Sequence, residues 1–106
     1  MLFELCQYKI REGRMAGRVR LMEDQITPFQ VVQGMVILGS FTGESDPDAY
    51  VWLRRFRDED ERVRLYQAVY QSGHWRHHIA APVADLLIRE EIKVTRLTPT
   101  PKSPIQ

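Results

Sequence analysis

Ala49-Tyr50-Val51-Trp52-Leu53-Arg54-Arg55-Phe56-Arg57 is the stretch from which the rest of the chain can be read. Its β-branched and aromatic residues favour a strand. A period of two sends Val51 and Leu53 to one face and Tyr50, Trp52, Arg54 and Phe56 to the other. Just before it, Gly43-Glu44-Ser45-Asp46-Pro47-Asp48 has the composition of a turn. Before that, Met35 to Thr42 is rich in β-formers, with Gly39 a bulge or a point of close approach. Two strands joined by a short polar loop make a hairpin.

Working outward, Leu2 to Ile10 reads as a first strand in which both alternating sets are mixed, and Arg11-Glu12-Gly13 as a turn. From about Arg14 a helix follows, with Met15, Val19, Met22 and Ile26 as its apolar stripe. Pro28 predicts a break or kink, with Phe29 to Gln33 a short continuation stopped by Gly34. After the hairpin, Asp58 is suited to cap a helix whose acidic start, Glu59-Asp60-Glu61, matches the positive end of the helix dipole. Val63, Tyr66, Val69 and Tyr70 form its buried stripe, and Ser72-Gly73 stops it. A short helical piece from His74 to Ala81 is broken or kinked at Pro82, and the last strand lies within Leu86 to Leu97, from Ile88 onward. Thr98 to Gln106, with three prolines, reads as an extended, flexible tail outside a single domain of residues 1–97.

The resulting order, strand–helix–strand–strand–helix–strand, is ferredoxin-like: an α+β fold with an antiparallel four-stranded sheet and helices on one face. Leu5, Val51 and Leu53 ask for one cover, and Tyr8, Trp52 and Phe56 for another. Two helices cover one face only, so the simplest second cover is another copy of the chain.

Composition narrows the partners. The formal net charge is +1, from 15 basic and 14 acidic residues, which gives no general pull toward nucleic acid or an anionic membrane. Arg54-Arg55 and Arg18/Arg20 are local basic clusters interleaved with acidic or apolar positions, a weak phosphate-binding surface. The single cysteine, Cys6, excludes an intrachain disulfide and any multi-cysteine metal site, and reads as a small buried hydrophobe. No signal peptide and no apolar run long enough to cross a bilayer are visible, so a cytoplasmic address is expected.

Three clusters bear on chemistry. In Ser72-Gly73-His74-Trp75-Arg76-His77-His78, helical spacing puts His74, His77 and His78 on one face. That is a spacing for a metal, but no carboxylate accompanies it, so no metal is expected; His74 turned into a cavity is the stronger reading. Tyr50, Trp52, Arg54 and Phe56 set a guanidinium among aromatic rings. As function this is a cavity for a small anionic or aromatic ligand; as structure it is a dimer core in which Arg54 pairs with an acid of the partner. Asp58 to Glu61 is a solvated helix start. Gly34, Gly39 and Gly43 are followed by no Lys-Ser or Lys-Thr pair, and no serine elbow or Cys–His pairing is indicated, which argues against hydrolase and nucleotide-dependent chemistry.

Taken together, four segments resemble the NIPSNAP family of the dimeric α+β barrel superfamily. They are Tyr8 to Arg14, Leu38 to Thr42 with Glu44, Tyr50 to Phe56 with Asp58 and Glu61-Arg62, and Ser72 to Trp75 with Ile79. The likeness runs from Leu2 to about Leu97. It departs at Trp52 and Arg54, where family members usually carry a histidine and then an aromatic residue, and at His74, where an acid is common. The resemblance implies a homodimer whose two sheets close into one barrel, with a cavity in each half. It implies no settled activity, since the superfamily includes cofactor-independent monooxygenases, haem-degrading enzymes, isomerases and stress-responsive dimers.

Two readings follow. In the first, the cavity binds or converts a small organic or anionic molecule in a monooxygenase- or isomerase-like manner. Trp52, Phe56 and Trp75 then wall it, Arg54 anchors an anionic group, and His74 or Tyr8 moves protons. No cofactor is called for; haem would require His74 or His77 to face the cavity. In the second, the protein is a non-catalytic dimeric scaffold or regulatory protein, its interior filled by its own side chains.

Overall fold

The computed structural model describes all 106 residues. Strands β1 (Leu2–Lys9), β2 (Val36–Thr42), β3 (Ala49–Phe56) and β4 (Lys93–Leu97) form one sheet in the order β2-β3-β1-β4. Every neighbouring pair is antiparallel, which is the ferredoxin-like α+β arrangement. β3 alternates strictly between half-buried and buried positions, with Tyr50, Trp52, Arg54 and Phe56 as the buried set. The register sets Glu4 opposite Arg54, Cys6 opposite Trp52 and Tyr8 opposite Tyr50.

Helices α1 (Met15–Leu21), α2 (Thr27–Gln33), α3 (Glu59–Tyr70) and α4 (Ala80–Leu86) cover this face. Cys6, Tyr50 and Trp52 pack with Leu21, Met22, Ile26 and Ile79, while Phe56 packs with Met35, Leu65 and Val69. The face that the sequence offered as a dimer core is therefore the protomer's own core. Leu5, Val51 and Leu53, on the opposite face, stay half-buried, and Phe41 beside them is exposed.

Pro28 and Pro82, each expected to break or kink its helix, disturb it without ending it. A proline ring collides with the carbonyl four residues back and supplies no amide hydrogen. For Pro28 and Pro82 those positions are Asp24 and His78. Each lies within a π-helical turn, Met22–Ile26 and Trp75–Ile79 respectively, and the wider turn lets the chain continue into α2 and α4. Gly34, at φ 110°, then closes α2 with a left-handed cap. Asp58 caps α3 as expected, accepting from the Glu61 amide at 2.8 Å.

Three boundaries differ from the sequence reading. The last strand starts at Lys93, because Leu86 ends α4 and Arg89–Glu91 forms a 3-10 turn. The β2 register shifts between Ile37 and Gly39, so Leu38 and not Gly39 is the extra residue, while Gly39 is the point of close approach, a Cβ there falling 2.9 Å from the Phe41 ring. The tail is not simply extended: the Ser103 amide donates to the Thr100 carbonyl at 3.0 Å, and Arg55 Nη1 donates to the Gln106 carbonyl at 2.5 Å. Pro99 and Ile105 line a groove with Phe3, Leu53 and Leu97, so the tail lies along one side of the open sheet face. No helix is long and apolar enough to cross a membrane.

Candidate functional site

A buried charge in a strand needs a partner, and two such charges face each other across β1 and β3. Glu4 and Arg54 are 2% and 3% exposed, and Arg54 Nε donates to Glu4 Oε1 at 2.7 Å. Arg54 Nη2 donates to the Tyr66 hydroxyl at 2.5 Å, and Nη1 to the Tyr70 hydroxyl at 2.7 Å and Gln30 Oε1 at 3.5 Å. Tyr66 donates in turn to Glu4 Oε1 at 2.6 Å, and Gln30 Nε2 donates to the Tyr70 hydroxyl at 3.3 Å. Tyr66 and Tyr70 are four apart on α3, one above the other, which lets one helix supply both phenols.

Aromatic faces complete the enclosure. The guanidinium carbon lies 4.6 Å from the Trp52 ring centroid and 4.8 Å from that of Tyr66. Burial alone would weaken the Arg54 cation; Tyr70, Tyr66, Cys6 and Glu4 outweigh it and hold the proton more firmly than usual. Burial also pushes the Tyr66 hydroxyl up, so it remains a donor to Glu4. The cluster is thus an internally closed set of charges and hydrogen bonds. The expected pairing of Arg54 with an acid of a partner is corrected: its acid is Glu4 of the same chain.

Of the other expected site residues, Phe56 stays with Arg54, its ring centroid 5.7 Å from the guanidinium carbon, Trp75 reaches the cluster through Tyr70, and His74 lies outside it. Phe56 is fully buried beside Tyr66, their ring centroids 6.1 Å apart. Trp75 is half-buried, edge-on to Tyr70 at 4.7 Å. His74 is exposed, against Phe29 at 4.7 Å and His78 at 5.5 Å, and it lines an open surface hollow of about 450 Å³ with Asp24, Gln25, Pro28, Phe29 and Val32, away from Arg54. His77 and His78 are exposed too, and no group of three His, Cys, Asp or Glu side chains is placed to hold a metal ion. Tyr8 belongs to a different neighbourhood, edge-on to Trp52 at 6.3 Å, with burial pushing its hydroxyl up to about 12.

Sequence reasoning passes over Glu4 and Gln30, counts Arg18 only within a weak basic cluster, and treats Tyr66 and Tyr70 as plain core. The signal for Glu4 is its parity: it shares a strand face with Cys6 and Tyr8, where an acid cannot be left unpaired.

The NIPSNAP family model matches residues 3–104. The chain belongs to the NIPSNAP family. Among solved structures, this NIPSNAP chain is similar to protein Atu4242 of Agrobacterium tumefaciens, with 20% identity, a TM-score of 0.89 and all of both chains covered. It is similar also to an uncharacterized NIPSNAP domain protein of Burkholderia xenovorans, at 20% identity and a TM-score of 0.83, covering 98% of this chain and 99% of that one. An antibiotic biosynthesis monooxygenase shares the fold more distantly, at 16% identity and a TM-score of 0.68, covering 95% and 100%. No curated protein matches the chain.

Proposed function

We propose that this NIPSNAP chain works as a homodimeric scaffold, two copies meeting through the open faces of their sheets. In each copy the interior is held by its own side chains around Arg54. The observation that carries this reading is the saturation of Arg54: each of its three nitrogens donates to a side chain of the same protomer. A substrate anion would have to displace Glu4 or a phenol to reach it. The open face supplies the apolar surface for pairing, with Leu5, Val51 and Leu53 half-buried and Phe41 59% exposed.

The likeness to a monooxygenase carries the fold alone, and an isomerase- or monooxygenase-like activity at Arg54 has no free donor to support it. One observation favours the small-molecule reading elsewhere: Arg18 Nε is buried without an acceptor.

Light scattering on Val51→Arg tests the scaffold reading. The unmodified protein should scatter as a dimer and the variant as a folded monomer with unchanged circular dichroism. A variant that stays dimeric overturns the proposed face.

A further inference from the structure

The open face of the sheet carries a knob and a socket at diagonally opposite corners. At the β2 edge Phe41 sits in the row that runs through Val51 and Gln7 to Lys93. It is 59% exposed, its ring beside Gly39, where a Cβ would meet it at 2.9 Å. Toward the β4 edge, near the row that joins Arg55, Phe3 and Leu97, the tail rises over the strands. Between tail and sheet lies a hollow of about 330 Å³, lined by Phe3, Leu53, Leu97, Pro99 and Ile105 among others. Knob and hollow both leave apolar surface in water, and both lie on the same face.

We infer that Phe41 of each copy seats in this hollow of the other, which makes the tail half of the contact between copies. The inference rests on the face-to-face dimer proposed above. A two-fold contact between identical faces is self-complementary, so a knob on one copy needs a socket on the other, and the reverse. A two-fold axis lying between the sheets, across the line from Phe41 to the hollow, makes both contacts at once. That axis passes over β3 near Val51 and Leu53, so these residues meet their own counterparts at the centre of the interface. The hollow matches a benzyl side chain in chemistry and exceeds it in volume. Arg55 Nη1, donating to the Gln106 carbonyl, holds the tail on its own protomer, so the socket is formed before a partner arrives.

Sedimentation equilibrium on Phe41→Ala, Ile105→Asp and their combination tests it, together with isotope-filtered NMR on dimers mixed from labelled and unlabelled copies. Both residues are more than half exposed, at 59% and 51%, so neither substitution should disturb the protomer. Each should raise the dimer dissociation constant roughly tenfold or more. The double variant should fall short of the product of the two effects, because both remove the same contact. The filtered spectra should join the Phe41 ring of one copy to the Leu97 and Ile105 methyls of the other. Within one copy Phe41 and Leu97 lie on opposite edge strands, three strand spacings or about 14 Å apart, so that contact arises only between copies. A dimer of unchanged affinity in either variant, effects that multiply independently, or Phe41 contacts elsewhere on the partner overturn the pairing and leave the scaffold reading standing. A parent protein that stays monomeric overturns the scaffold reading, and the pairing with it.

Discussion

Replacing Arg54 with methionine keeps most of the length of the side chain and removes its charge. Glu4, 2% exposed, would then keep only the Tyr66 hydroxyl and a longer contact to Arg62 Nη1 at 3.7 Å. Breaking a buried pair in this way costs about 3–5 kcal/mol, because the remaining charge stays buried. For a urea dependence of about 1.5 kcal/mol per molar, the unfolding midpoint should fall by roughly 2–3 M. Glu4→Leu alone should also destabilise, since it strands the Arg54 cation. Combining the two should recover about 2–3 kcal/mol relative to additivity, the interaction expected of contacting groups. Urea denaturation at pH 7 and fixed protein concentration measures all four species, the fixed concentration removing any mass-action effect of dimerisation. An Arg54→Met variant within about 1 kcal/mol of the parent, or an additive cycle, would refute the claim that this network holds the interior.

Burial pushes the Cys6 thiol from 9.0 up to about 11, and the Tyr8 hydroxyl from 10.0 up to about 12, so the unfolded chain releases these protons first. Their stabilisation should be fully present below pH 9.0 and be lost as pH rises toward 12. Cys6 contributes about 3 kcal/mol of it, and Cys6→Ala should flatten that part of an alkaline titration followed by circular dichroism. Asp58→Ala removes the acceptor of the Glu61 amide and should cost about 1 kcal/mol in chemical denaturation.

The sheet and its hairpin are legible in the sequence because β3 is dense in β-branched and aromatic residues and a polar turn precedes it. Asp58 is legible for the same local reason. The π turns are not: a proline signals that the regular ladder must fail, but not whether the chain breaks or widens to absorb the clash. The choice of covered face is also out of reach, since both faces of β3 carry large residues and only the position of the helices decides between them. Arg54 is placed among aromatic rings by alternation, yet its partner Glu4 lies 50 residues away and is found only through strand register. Arg18 reads as one of several surface arginines, although its place three residues after Met15 and four before Met22 sets it at the edge of the apolar stripe, unlike Arg20. His74 joins the expected site through its company of histidines, which the fold leaves on the surface.

Native mass spectrometry of the unmodified protein tests the central claim most directly. Twice the chain mass is expected, with no monomer at working concentration. A stable monomer would mean that the open face of the sheet needs no second copy, and would contradict the scaffold reading.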